Sequence, residues 1–268
     1  MTDRPEELRR RLAGLDSIGQ VVGALRAIAS GQAASARGAM AAISAYSGTV
    51  REALIAAAAG PPPEVPGPGL VLVVGAAQGF SGAYPARIAE AARALAAPGA
   101  GFLVVGARTL AMLGEAGPAV LWSADLPGHP AAIPELASRV TDAMIGAAPR
   151  HPGPIRALVG PARAGDAPET RAIFPPAPET GSRPPPLTTL PPARLLAGLL
   201  EEALFAQVAL ALMRGVEAEA RARVEAMARA RSNLRARRAE VERDFRQARQ
   251  EQMTTEMIEL TSARPDED

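Results

Sequence analysis

Two very long proline-free stretches limit what this chain can fold into. The chain holds 26 prolines, yet none lies between Pro5 and Pro61 or between Pro192 and Pro265. Within the first stretch, Leu8, Leu12, Leu15, Val22, Leu25, Ala29, Ala36, Ala39, Ile43, Tyr46 and Val50 recur at helical steps, with Gly19 and Gln32 filling two gaps. Within the second, Leu212, Val216, Ala220, Val224, Met227, Ala230, Leu234, Val241, Phe245 and Ala248 do the same. Each pattern predicts one helix far longer than the usual ~10–14 residues. The C-terminal one, at 1.5 Å per residue, would measure ~105 Å, more than a globular domain of this size spans. Each arm has a single apolar seam, and the simplest way to bury both is against each other, as an antiparallel coiled coil. The many alanines in the seams allow close approach of the two backbones.

The middle of the chain has a different rhythm. Leu70–Val74, Phe102–Val105, Val120–Trp122 and Ile155–Val159 are short apolar runs, with helical patterns over 83–97 and 133–148 between them. Alternating strands and helices predict a largely parallel sheet with helices on its faces. The expected fold is therefore α/β: a long coiled coil of the two chain ends with a Rossmann-like parallel-sheet domain inserted. The expected division is an N-terminal coiled-coil helix over 1–60, the α/β domain over 69–175, a Pro-rich linker over 176–192, a C-terminal coiled-coil helix over 193–263 and an acidic tail over 264–268.

Composition removes several kinds of chemistry. There is no cysteine, and all 29 basic residues are arginine, which excludes disulfides, thiolate catalysis, Schiff-base lysines and a P-loop lysine. A net charge of +1 and 3% aromatic residues argue against a nucleic-acid platform. The charged start, residues 1–12, lacks the apolar core of a signal peptide, and no uninterrupted apolar run approaches the ~20 residues of a membrane span. His129 and His151 have no clustered ligand set, and Ser81 has no neighbouring base in the sequence.

Three segments carry a more specific pattern. Residues 8–30 (LRRRLAGLDSIGQVVGALRAIAS) place Arg9, Arg11, Ala24, Leu25, Arg26, Ile28 and Ala29 as in the opening helix of the γ subunits of F-type ATP synthases. Residues 73–88 (VVGAAQGFSGAYPARI) resemble that family's strand, Gly-rich turn and helix, with Gly79 and Gly82 in matching places. Near the C-terminus, Glu219, Arg223, Val224, Ala226, Met227 and Asn233 match one signature. Ala248, Arg249, Gln250, Met253, Thr254, Glu256, Met257, Glu259 and Leu260 match a second. The chain thus resembles a divergent γ subunit, the central rotor of the synthase.

The resemblance implies a non-catalytic subunit without cofactor or metal, coupling ion flow through a membrane c-ring to conformational cycling of catalytic β subunits. Its implied partners are the α and β subunits of the head, the ε subunit and the c-ring, with no nucleic acid. It would reach the membrane only through the complex, at the cytoplasmic face of a bacterial inner membrane. By the same resemblance Arg249, Gln250, Thr254 and Glu256 would meet loops of the β subunits. Leu25, Arg26, Glu219, Arg223 and Met227 would lie where torque enters, Met227 alternatively serving, with Met253 and Met257, as seam packing. A second, alternative ion-pumping ATPase would use the same kind of subunit. Two other readings stand beside it. One is a Rossmann-like nucleotide-binding enzyme with a coiled-coil handle, whose phosphate would sit on the Gly75, Gly79 and Gly82 turn. The other is an adaptor whose Arg-rich helix binds acidic partners or nucleic acid.

Overall fold

The computed structural model describes residues 4–57, 65–114, 117–163, 165–176 and 187–262. The acidic tail expected over 264–268, and most of the expected Pro-rich linker, lie outside these residues. The elements in order are α1 (Arg4–Ala57), β1 (Leu70–Val74), α2 (Tyr84–Ala94), β2 (Gly101–Val105), α3 (Ala107–Leu113), β3 (Val120–Ala124), a 3-10 turn (Pro130–Ala132), α4 (Ile133–Ala147), β4 (Ile155–Val159), β5 (Glu169–Phe174) and α5 (Pro192–Ser262). α1 has 54 residues and α5 has 71, each unbroken, as the proline-free periodicity predicts. The chain divides into two compact units, Met1–Ile28 with Glu225–Asp268, and Ala29–Val224. This division cuts through both long helices rather than following their ends.

In the larger unit the sheet order is β3-β2-β1-β4-β5. The first four strands are parallel, and β5 runs antiparallel along the β4 edge. β1 and β2 are buried at every position, which is why they read as continuous apolar runs rather than alternating ones. On one face Val71, Val73, Phe102, Val104 and Leu158 pack with Tyr84, Ile88 and Ala92 of α2 and Leu113 of α3. On the other, Leu72, Val74, Leu103 and Val159 pack with Ile133, Leu136, Val140 and Met144 of α4 and with Val208, Leu212 and Val216 of α5. Trp122 lies partly buried against this second core, with the Arg139 guanidinium 5.7 Å from its ring centre. The N-terminal arm joins the same unit through Ala29, Ala33, Ala36, Val50 and Leu54, all buried. Gln207 donates to Ser47 at 2.9 Å, and Arg37 meets Glu217 at 3.5 Å. Rising numbers on α1 thus meet falling numbers on α5, so the helices run antiparallel here.

In the smaller unit Val22 of α1 and Met227, Val241 and Ala248 of α5 are buried, and Asp16 pairs with Arg238 at 2.9 Å. Met253 and Met257 do not pack in a seam as the sequence pattern suggested: they are 58% and 67% exposed. Ile258 and Leu260 beside them are also exposed, so the end of α5 presents apolar side chains at its surface.

Alanine also lifts the hydropathy of both long helices. Each holds an 18-residue window apolar enough to cross a membrane by length and composition, averaging 1.2 in α1 and 1.8 in α5. No single apolar run had marked them in the sequence. In α5, 39% of that window is buried in the protein's own interior, against 11% in α1.

Candidate functional site

The order of the sheet reverses between β1 and β4. In open α/β sheets the crevice outside the carboxyl ends of the strands at such a reversal is where ligands bind. The Gly-rich turn after β1 occupies this position, and its backbone N–H groups reveal what fills the crevice. Gly75 donates to the Val105 carbonyl at 2.8 Å, and Ala76 donates to Thr109 Oγ1 at 2.8 Å. Ala77 and Gln78, which would face a phosphate in a nucleotide enzyme, donate to the two oxygens of Glu219 at 3.2 and 2.9 Å. A carboxylate carried on α5 therefore sits where the turn would cradle an anion.

Glu219 is itself held by Arg223, whose Nη2 donates to Glu219 Oε1 at 2.6 Å. One helical turn separates them, so both reach the turn from the same face of α5. Arg223 continues the network, donating through Nε to the Gly79 carbonyl at 3.1 Å and through Nη1 to Gln32 Oε1 of α1 at 3.2 Å. Both residues are 6% exposed. This pair ties α1, the turn after β1 and α5 together within one unit. A depression beside it, lined in part by Gln32, Gln78 and Gly128, has a cavity volume of about 10 Å³, room for about one water molecule and far below the ~300 Å³ of a small-molecule site.

Burial of the network constrains its neighbour Tyr84, at the start of α2. Its hydroxyl is buried without a hydrogen-bond partner. Burial first, and then the Glu219 charge, push its pKa well above the ordinary phenol value, against a smaller opposing effect of Arg221. The folded chain therefore holds the Tyr84 proton where an unfolded chain releases it. The associated stability is complete below about pH 10 and falls as the pH rises further. Tyr84→Phe is expected to leave neutral-pH stability unchanged or raise it by about 1 kcal/mol, since an unsatisfied hydroxyl disappears. It should also flatten the alkaline loss, as urea unfolding at pH 7 and at about pH 10.5 would reveal.

The other residues singled out from the sequence separate by burial. Met227 is 6% exposed and Leu25 half-buried, whereas Arg26, Arg249, Gln250, Thr254 and Glu256 are exposed. On the exposed end of α5, Thr254 donates to the Gln250 carbonyl at 2.9 Å and Gln252 donates to Glu256 at 2.8 Å, both within the helix. Ser81 has a buried hydroxyl with no partner and hence nothing to activate it. His151 Nδ1 lies 2.8 Å from the Gly99 carbonyl, and His129 is exposed. Among the described residues no three His, Cys, Asp or Glu side chains converge as metal ligands. Sequence reasoning did not find the parts played by Thr109 and Gln32, which depend on partners 33 and 191 residues away.

A protein-family comparison matches residues 162–264 to the ATP synthase family, the γ-subunit type. That range carries β5 and all of α5, including both C-terminal signatures. The likeness in sequence to this family thus lies in the C-terminal part of the chain. Solved structures agree on the fold over almost the whole length. The rotor of the Euglena gracilis mitochondrial ATP synthase in rotational state 1 matches with a TM-score of 0.67 and 13% identity, covering 94% of this chain and all of that one. The OSCP/F1/c-ring structure of the same synthase in rotational state 3 gives a TM-score of 0.71 and 13% identity, covering 98% of this chain and 94% of that one. The central stalk and c-ring structure of the Tetrahymena thermophila mitochondrial synthase matches 78% of this chain and 99% of that one, at a TM-score of 0.54 and 12% identity. No curated protein sequence matches this chain. In this chain the Rossmann-like sheet thus turns its ligand crevice inward, onto its own long helix, through Glu219.

Proposed function

We propose that this γ-type chain is the central-stalk rotor of a rotary F-type ATP synthase or ATPase. In this role it couples ion flow through a membrane c-ring to conformational cycling of catalytic β subunits, without catalysing a reaction itself. The observation that carries the reading is the coincidence, on α5, of the family's sequence match with a fold shared along almost the whole chain. Its partners would be the α and β subunits of the head, the ε subunit and the c-ring. The chain would be peripheral to an energy-transducing membrane, held there by the complex. The sequence resemblance points to the cytoplasmic face of a bacterial inner membrane, whereas the solved relatives named above are mitochondrial.

Mechanically, such a subunit acts by presenting different contacts to otherwise identical catalytic sites. It can shift each site only by the difference in contact energy between competing conformations. Exposed polar groups at the end of α5, namely Arg249, Gln250, Thr254 and Glu256, suit direct contact with β loops, and Arg26 with half-buried Leu25 offers a similar surface on α1. Glu219 and Arg223 spend their donors and acceptors inside the chain, so their part would be to hold the helices and the turn in a fixed relation. Buried Met227 would likewise support the surface rather than form it.

The test is co-expression with cognate α and β subunits, followed by purification and ATPase assay. A stoichiometric complex whose ATPase activity requires this chain is expected; no association with a hexameric head would discard the reading. Within that complex, Arg249→Ala together with Gln250→Ala should lower chain-dependent ATPase activity about tenfold or more, as charge-assisted contacts of ~1.5–3 kcal/mol are lost. The melting temperature of the free chain should not move, because both side chains are exposed.

A further inference from the structure

A second charged network lies in the larger unit, away from the Glu219 turn. Cross-strand register pairs Arg171 with Ala157 and Glu169 with Val159. Ala157 and Val159 belong to the core facing α4 and α5, so Arg171 and Glu169 stand on that face of the sheet, at its β5 edge. Two positions further along β5, Ile173 is buried in the same core with residues of α5. From α5, Arg214, Glu217 and Arg221 follow at i, i+3 and i+7 and share one side of the helix. Glu217 is engaged by Arg221 at 2.9 Å and by Arg37 of α1 at 3.5 Å. Glu169 is engaged by Arg171 at 2.5 Å and by the Ala162 amide at 3.1 Å. Arg221 also donates to the carbonyls of Pro161 and Ala162, which fixes the loop between the two networks of charge.

Arg214 is the exception. It is half-buried, yet among the described residues it makes no hydrogen bond or ion pair. Its burial and then the neighbouring Arg171 charge lower the pKa of its guanidinium, with Glu169 compensating only in part. Partly desolvated cations are normally paired. Here four arginines share two glutamates, leaving an excess of two positive charges on one ledge. We propose that the ledge between β5 and α5 is a docking site for an acidic protein segment, with one carboxylate received between Arg214 and Arg171. The guanidinium fork matches a carboxylate in geometry, and the vacant donors of Arg214 supply what such a group accepts. Glu169 and Glu217, set among the arginines, would repel a continuous phosphate chain, so the ledge favours an acidic peptide over a nucleic acid.

The full chain has no cysteine, so a single Ala162→Cys substitution, at an exposed position in the loop, can carry an environment-sensitive fluorophore. A second label at exposed Ser232→Cys reports on the Arg-rich part of α5 in the other unit. Titration with a hexaglutamate peptide is expected to change the signal at position 162 saturably. Arg214→Gln and Arg171→Gln should each weaken that binding about tenfold, while the response at position 232 and the melting temperature stay as in the parent. Arg171 is 44% exposed in its side chain and Arg214 makes no hydrogen bond or ion pair among the described residues, so neither change removes a buried contact. The proposal is overturned if the label at 162 shows no saturable response. It is equally overturned if Arg214→Gln binds hexaglutamate as the parent does, or if hexathymidylate binds at that label more tightly than hexaglutamate.

Discussion

Replacing Glu219 with alanine is expected to destabilise the larger unit by about 3–5 kcal/mol, the range found when one partner of a buried ion pair is removed. Three losses combine in this change. The Arg223 guanidinium remains 6% exposed without its counter-charge. The amides of Ala77 and Gln78 lose their acceptor, and each unsatisfied buried donor costs roughly 1–3 kcal/mol before water repairs part of it. The turn after β1 also loses its attachment to α5. Glu219→Gln should cost less, because an amide oxygen can still accept one hydrogen bond, although its NH2 group then opposes either Arg223 or a backbone donor. Urea unfolding of Glu219→Ala, Arg223→Ala and the double variant measures whether the residues act as one unit. The double variant should be clearly more stable than the sum of the two single losses predicts. Strict additivity would mean that the pair contributes nothing beyond its separate contacts, and the tie between the turn and α5 would have to be sought elsewhere.

This pair also marks where sequence reading stops. Glu219 and Arg223 are visible in the sequence as an i,i+4 pair, which on an exposed helix contributes only a few tenths of a kcal/mol. Their weight comes from burial and from the amides of Ala77 and Gln78, more than 140 residues distant, and no local pattern reports such partners. The long helices, by contrast, were legible because proline is excluded and apolar residues recur over many turns, so the signal accumulates with length. β1 and β2 were legible as buried apolar runs. β5 was not, because Glu169, Thr170, Arg171 and Ala172 line an edge that faces water in part and carries few apolar residues. α3 escaped for another reason: with 7 residues between Gly106 and Gly114 it is too short to show a period. The surplus cation at Arg214 was equally hidden, since an arginine among eleven within 214–249 acquires meaning only from its surroundings.

The close seat of α5 on the sheet makes Gly215→Val the other substitution with a large expected effect. A Cβ at position 215 would lie 2.2 Å from Val74 Cγ1 and 3.7 Å from Leu126 Cδ2. Val74 is fully buried at the centre of the sheet and α5 carries Val208, Leu212 and Val216 in the same core, so neither side can give way cheaply. Overpacking a dense core typically costs 1–3 kcal/mol, and a branched side chain at so short a distance should reach about 3 kcal/mol or more. Helix propensity opposes this loss, because removing a helical glycine gains up to about 1 kcal/mol, but that is the smaller quantity. The same helix provides the control. Gly198 is exposed, and a Cβ added there would have no atom within 4 Å, so Gly198→Ala should stabilise the chain by about 0.5–1 kcal/mol through propensity alone. Opposite shifts in the urea midpoint, with an unchanged slope, are therefore expected from two glycines in one helix. If Gly215→Val shifted the midpoint upward as Gly198→Ala does, α5 would not press on β1 at this point. The anchoring of the long helix to the sheet would then rest on Val208, Leu212 and Val216 in the core and on the Glu219 network.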